Sequence, residues 1–473
     1  MKILYLPIET TARELESKLL IGYWAVRSGF EVIIGSKAAV KSQALRYRRG
    51  IFFYKDHSPL SKTILKEIHA AGVHVVALDE EGLVVLNQRE YTKRTDSDSV
   101  KLCHKVFLWG DVHLAMLESI HGDAGKFVNS GNPRFDLLHP SYARFRDHKS
   151  DSVGVPSTPF VLLNTNFAAG NWDVRMYGTV SYTEHMRSRG HITNQQDEDF
   201  YRKKCNYYSL LFDEYVSLVR HLSEEFPEIS IIVRPHPDEN HDRWRAVVAD
   251  IPNAMVRFKG AATDWMNRAN AVIATGCTTG VEALALGKTY IHYSPNFDSA
   301  IEATLPSSFS KNVTTIEEVI ARVRTAVNEN DKQEEREVTF VCDASRYIAN
   351  LKDGNAAETI VRELSSIGKN NSVTSIPINR RAIISYMLST TIGRVKLSLR
   401  YVLTIATRFG AGKDTEAFRV KAQKFGGISK LEIVSILRFF HQCVTESGGL
   451  PLFRVKRVGN DVYSISARNN DRT

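Results

Sequence analysis

Apolar residues in this chain gather into short strand-sized runs, separated by stretches where they recur every three or four positions. Residues 2–7 are apolar and β-rich, and from Glu9 to Ser28 the residues Leu15, Leu19, Leu20, Tyr23 and Trp24 follow helical spacing. Gly29 supplies a helix stop, and Val32 to Ile34 is a second apolar run. Strand, helix and strand at this length predict parallel pairing in a Rossmann-like layer. The pattern continues with a helix near 59–71, strand 73–79, helix 98–104, strand 105–110, helix 111–121 and strand 126–131.

After a polar linker at 144–158 a second series starts with strand 159–164 and a long irregular loop. Helix 198–225, strand 230–235, helix 240–249, strand 254–258, helix 262–268, strand 271–275, helix 279–286 and strand 289–293 follow, with helices near 315–327 and 355–366. The expected class is α/β, with two Rossmann-like domains (1–150 and 151–368) facing one cleft. In open α/β sheets ligands bind beyond the carboxyl ends of the strands, so residues just after strands are the informative ones.

Composition changes this picture only at the C-terminus. The 473 residues are 43% apolar and 24% charged, which excludes disorder as the main state and a collagen-like or disulfide-scaffold chain. No run of eighteen apolar residues predicts a spanning helix, and the first apolar stretch, broken by Glu9, is too brief for a secretory signal. Cys103, Cys205, Cys277, Cys342 and Cys443 are scattered without CxxC spacing, as expected of reduced thiols in the cytoplasm. The net charge of +9 is uneven. Residues 369–473 hold 18 Lys/Arg against 6 Asp/Glu, leaving 44 basic and 47 acidic side chains in the first 368. This basic C-terminal extension suits an anionic membrane surface or nucleic acid. Segment 380–408 mixes apolar residues with six Arg/Lys and no acid, as in a surface-lying amphipathic stretch. Segment 428–466, a helix and then a hairpin, has the outline of a small winged module.

Several clusters carry candidate chemistry. Asp79, Glu80, Glu81 and Gly82 close the third expected strand; crowded carboxylates raise one another's pKa, as a general base requires, though a solvated acidic turn has the same composition. Arg234-Pro235-His236-Pro237 ends another strand, two prolines fixing the backbone around His236 while Arg234 offers a fork to an anion. Asp238 and His241 lie near, but a third metal ligand is missing, and no metal is expected. Gly276-Cys277-Thr278-Thr279-Gly280 precedes a helix, where free N–H groups and two hydroxyls suit a phosphate; simple capping by either threonine is the alternative. Neither GxxxxGK[ST] nor GxGxxG occurs, which argues against a P-loop or dinucleotide enzyme. Glu9, Arg13 and Glu14 follow the first strand, GNPRFD (131–136, with Arg134) ends the first domain, and Asn164, Thr165, Asn166 and Phe167 open the second. For these, caps and turns compete with ligand contact. Asp96-Ser97-Asp98 has the form of a metal-binding DxD but follows no strand, and helix capping explains it better.

An acidic-acidic-Gly motif, then His-Pro, then a hydroxyl pair at a helix start resembles the motif order of bacterial sialyltransferases with the two-domain GT-B fold. Bacterial Kdo transferases are similar. The strings YLPIET, DEEG, GNPRFDLL, NTNF, RPHPDEN and GCTTGVEAL more closely resemble bacterial surface carbohydrate biosynthesis proteins, over roughly residues 1–345. The paired serines of many sialyltransferases are Thr278 and Thr279 here. GNPRFD and His-Pro also resemble CDP-glycerol glycerophosphotransferases, which keeps that class as the alternative.

The resemblance implies a metal-independent glycosyltransferase of capsule, O-antigen or related glycan assembly, moving a CMP-activated 2-keto sugar (Kdo or a sialic-acid-like nonulosonate) to a glycan or lipid-linked glycan acceptor. It implies a donor in the second domain and an acceptor in the first, and no cofactor beyond the nucleotide sugar. Glu80, Glu81 and His236 are the catalytic candidates. Glu9, Arg13, Asp79, Arg134, Asn164, Asn166, Arg234, Glu239, Asn240, Thr278, Thr279 and Glu282 are the substrate-binding candidates. A peripheral position at the inner membrane is expected, and a nucleic-acid partner is not, because it would leave RPHP and GCTTG without a purpose.

Overall fold

A computed structural model describes residues 2–122, 125–174, 181–328, 333–367, 425–445 and 453–467. Two sheets organise the chain. The first contains β1 (Lys2–Ile8), β2 (Phe30–Ser36), β3 (Ile51–Tyr54), β4 (His74–Leu78), β5 (Cys103–Leu108) and β6 (Phe127–Asn129), all parallel to their neighbours. The second contains β7 (Phe160–Asn164), β8 (Ser230–Arg234), β9 (Ala254–Val256), β10 (Ala271–Ala274) and β11 (Thr289–His292), in the order β11-β10-β7-β8-β9, again parallel. Strand β3 is absent from the sequence reading. It is only four residues long, buried on both faces between β1 and β4, and so carries neither alternation nor length as a signal. The polar stretch read as a linker is largely helix Ala143–Val153, which buries Phe145 and Ser150 and is polar elsewhere.

The C-terminal residues come back to the first sheet. Strands β12 (Phe453–Gly459) and β13 (Val462–Ala467) form a hairpin, and β13 pairs antiparallel with β2, giving the order β12-β13-β2-β1-β3-β4-β5-β6. Helices Ala356–Ser366 and Lys430–Val444 both pack on helix Thr11–Arg27, which is why that helix is buried over most of its surface, including Leu15, Leu19, Leu20, Tyr23 and Val26. The described part of the basic extension is therefore built into the first core, and its hairpin is a sheet edge, unlike the free winged module that its outline suggested. Segment 380–408 lies outside the described residues. Among the described residues no helix is long and apolar enough to cross a membrane.

The two sheets share an apolar boundary. Leu83, Trp109, Phe135 and Leu138 of the first series pack in one cluster with Phe160, Trp265, Val272 and Val281 of the second. The chain crosses back along this boundary, where Ala349 N–H donates to the Trp109 carbonyl at 2.7 Å. That crossing explains Gly131, whose φ is +72° and where a Cβ would lie 2.0 Å from the Ala349 oxygen.

Candidate active site

At the carboxyl ends of β1, β3 and β4 the first domain gathers charged side chains that a soluble core excludes unless they are paired. Glu14 and Lys18 are both 1% exposed and joined at 2.9 Å. Glu14 also accepts the amides of Glu9 and Thr10, and Lys18 donates to the Pro7 carbonyl at 2.5 Å. Glu9 is held between Lys55 (2.8 Å) and Lys37 (3.3 Å); burial alone would raise its carboxyl, but the two ammonium groups pull it down to about 2.

The acidic turn divides its three carboxylates by environment. Asp79 is buried and accepts the Glu81 amide (3.0 Å) and the Tyr91 hydroxyl (3.0 Å); against burial, the Arg94 guanidinium keeps it below its ordinary range. Glu81 stands half exposed between Arg13 (2.9 Å) and Arg94 (3.2 Å), which overcome its desolvation and lower it to about 2. Glu80 differs. It is 5% exposed, its Oε2 has no hydrogen-bond partner, and burial raises its pKa despite the charges of Lys18, Arg134 and Arg13. A buried carboxyl with a free oxygen and a raised pKa has the properties of a general acid or base. Gly82 is small because His113 lies against it: a Cβ there would sit 2.4 Å from the ring carbon Cε1.

Arg134 forms an ion pair across the domain boundary with Glu282, both side chains largely buried. Glu282 belongs to helix Thr278–Ala285, whose start no side chain caps; Thr279 Oγ1 turns to the Cys277 sulfur at 2.6 Å. The amides at this helix start suit an anion. The glycines of GCTTG accommodate protein: Gly276 abuts Ala303 and Glu302, and Gly280 abuts the Tyr290 ring. Beneath the turn Glu302, wholly buried, accepts the Gly276 amide (2.8 Å), Tyr207 (2.5 Å) and Ser294 (3.0 Å), with His292 Nε2 at 2.8 Å. GNPRFD divides in the same way: Arg134 reaches across the boundary to Glu282, while Asp136 accepts the amides of Ala356 and Ala357 at the start of the returning helix.

Among solved structures, the wall teichoic acid polymerase TagF, in a histidine-to-asparagine variant soaked with CDPG, aligns at a TM-score of 0.50 and 9% identity, over 77% of this chain and 87% of that one. The same variant without the soak gives 0.50, 10%, 77% and 88%. The chain has a GT-B-like fold. UDP-GlcNAc 2-epimerase from Neisseria meningitidis aligns less well, at a TM-score of 0.47 and 12% identity, over 77% of this chain and 99% of that one. No protein-family model and no curated protein matches the sequence.

Within this fold the His-Pro loop at the end of β8 is organised by Glu239. Its buried carboxylate accepts the Thr165 hydroxyl (2.7 Å), the amides of Phe167 and His236 (both 3.1 Å), Asn171 (3.2 Å) and the Trp244 indole (2.9 Å). With this many donors Glu239 is a scaffold for the loop, and Asn240 caps the next helix through the amides of Asp242 and Arg243. Arg234, expected to fork an anion, is buried instead beside Phe258 and donates to the carbonyls of Lys259 (3.2 Å) and Gly260; burial lowers its pKa to about 10. His236 remains partly exposed, its Nδ1 accepting the Asp238 amide at 3.2 Å, which leaves the neutral-ring proton on Nε2. His241 Nε2 contacts the His236 carbonyl at 2.9 Å. Among the described residues no three His, Cys, Asp or Glu converge as metal ligands, and Asp96 of the DSD triplet caps its helix through the Ser99 amide (2.8 Å). Asn164 is buried with Nδ2 unpartnered, and Asn166 is half-buried nearby.

The expected residues thus fall into three groups: Glu9, Arg13 and Asp79–Glu81; Arg134 with Glu282 beside Thr278–Thr279; and Asn164, Asn166, Arg234, His236, Glu239 and Asn240. Lys18, Lys55, Tyr91, Arg94, His113 and Glu302 escaped the sequence reading. Lys55 directly follows β3 and was hidden with it; Lys18 pairs with Glu14 one helical turn away but is marked as buried only by the fold, and the others act through contacts distant in sequence that carry no local signature.

Proposed function

We propose that the protein is a glycosyltransferase of bacterial surface polysaccharide biosynthesis, transferring a CMP-activated 2-keto sugar to a glycan or lipid-linked acceptor. The observation that carries this reading is Glu80, buried at a strand end with an unpartnered oxygen and a raised pKa. In this reading Glu80 accepts the proton of the acceptor hydroxyl as it attacks. Glu81, lowered to about 2 by Arg13 and Arg94, is too weak a base for that role. The leaving nucleotide gains phosphate charge, which the amides at Thr278–Thr279 and the Nε2 proton of His236 stabilise. Arg134, paired with Glu282, is a further cation at the boundary.

A second reading, transfer of a glycerophosphoryl group from CDP-glycerol, is supported by the likeness to TagF, a histidine variant of which was soaked with CDPG. There the same base would activate a hydroxyl and His236 would serve the phosphoryl centre. Incubation with CMP-Kdo, CMP-sialic acid and CDP-glycerol, scoring release of CMP, separates them: CMP from a CMP-sugar supports the first reading, CMP from CDP-glycerol alone supports the second, and release from none refutes both.

A further inference from the structure

Tyr91 takes no part in the chemistry above, yet it lies in a hydrogen-bond chain whose direction is determined at every link. Trp109 N–H donates to His113 Nδ1 at 3.3 Å, so the neutral imidazole carries its proton on Nε2. Burial lowers the His113 pKa to about 4, which keeps the ring neutral. His113 Nε2 then donates to Tyr91 Oη at 2.6 Å, and Tyr91 donates onward to Asp79 Oδ2 at 3.0 Å. Asp79 is gripped further by the Glu81 amide (3.0 Å) and Arg94 (3.7 Å) on Oδ1, and by the Trp109 indole (2.6 Å) and the Gly82 amide (3.3 Å) on its carbonyl. Glu80 is the next residue along this clamped backbone, its own amide donating to the Lys55 carbonyl at 3.1 Å. With Oε2 unpartnered, the aim of the Glu80 carboxyl depends on the turn beneath it.

The segment carrying Tyr91 also reaches the other domain. Helix Gln88–Thr92 is only five residues long, and around it Lys93 (2.9 Å) and Arg89 (3.4 Å) both pair with Asp197. Asp197 lies in the first turn of helix Gln195–Glu225, whose Leu211, Phe212, Leu218 and Leu222 belong to the core of the second domain. Arg94, two residues beyond the helix, returns to Glu81. Segment 88–94 is thus a strut between the second domain and the carboxylate turn.

We propose that Tyr91 is a positioning residue for Glu80, and that the strut sets the turn according to the engagement of the second domain through Asp197. This rests on the reading of Glu80 as the base. Tyr91→Phe keeps the ring, which stands edge-on to His113 at 5.5 Å, and removes the hydroxyl that donates to Asp79 and accepts from His113 Nε2. A misplacement of about 1 Å at the base costs up to ~10²-fold in turnover. With the nucleotide donor that turns over, Tyr91→Phe is expected to lower kcat roughly 10- to 100-fold with donor KM unchanged, while the melting temperature falls only modestly because the buried His113 N–H loses its acceptor. Lys93→Met should lower kcat in the same sense, and the acidic limb of the pH–rate profile should move in Tyr91→Phe, because the turn sets how Glu80 faces Lys18, Glu14, Arg134 and Arg13. If Glu80→Gln is inactive while folded Tyr91→Phe has wild-type kcat and pH limb, the positioning role is refuted and the base stands. If Glu80→Gln retains wild-type turnover, the base reading falls and the positioning role with it. A fall in kcat that merely tracks a lowered melting temperature also overturns the proposal.

Discussion

Replacing Ile465 by alanine tests how far the C-terminal hairpin belongs to the first domain. Ile465 is wholly buried, opposite Val32 in the β13–β2 register, and packs in the cluster that holds Leu4, Leu19 and Phe440. Truncating a fully buried isoleucine costs about 2–5 kcal/mol, from lost transfer energy and the cavity left behind. For a domain of this size each kcal/mol shifts the melting temperature by about 2–4 °C, so a central value near 3 kcal/mol lowers it by roughly 6–12 °C. Removing 453–473 is harsher. Val455, Val462, Tyr463 and Ile465 are all buried, and at about 1.5–3 kcal/mol each they amount to roughly 6–12 kcal/mol, the scale of a domain's net stability. The truncated chain should be insoluble or unfolded, with the edge of β2 laid bare. Circular dichroism during heating checks both variants. Unchanged melting of Ile465→Ala, or a soluble truncation that melts like the full chain, would show that the hairpin contributes nothing and refute the reasoning. A deletion of all residues from 369, attractive from the charge distribution alone, would therefore unfold the first sheet instead of isolating the basic segment.

The pH–rate profile should separate the two glutamates. Burial raises Glu80, so as a base its ionised form appears only above the usual carboxylate range and activity should rise with pH through that point; in Glu80→Gln that limb should vanish, whereas Glu81→Gln should keep it. His236→Ala should reduce turnover about 10²–10⁴-fold without loss of fold, since the ring is partly exposed and packs in no core; wild-type turnover in the folded variant would remove it from the mechanism. Replacing 369–424 with a Gly/Ser linker, which spares the hairpin, should abolish co-sedimentation with anionic vesicles at low salt; full-length protein that never co-sediments argues against membrane attachment through this segment.

Much of the architecture is carried by local pattern. A strand–helix–strand rhythm repeated twice is enough to specify parallel sheets, because each short apolar run must be buried and each amphipathic helix must cover it. For the same reason the strand-end positions of Glu80, Arg134, His236 and Thr278 are legible in the chain: they follow directly from where the strands stop. The roles within those positions are not. Arg234 and Glu239 have the composition of ligand-binding residues, and only packing shows that their hydrogen-bonding capacity is taken up by backbone and neighbouring side chains. Asp79, Glu80 and Glu81 are equivalent as letters. Their different proton affinities come from burial and from Arg13, Arg94 and Lys18, up to 68 residues away in sequence and brought within reach by the fold. The largest displacement between the two levels is the C-terminal hairpin. Its charges mark it as an appendage, while Tyr463 and Ile465 of β13 find their partners only in β2, more than 400 residues earlier, because an open sheet edge there needs a strand. Local periodicity sets which segments are strands and helices; burial, pairing and desolvation, which depend on distant residues, set what each side chain can do.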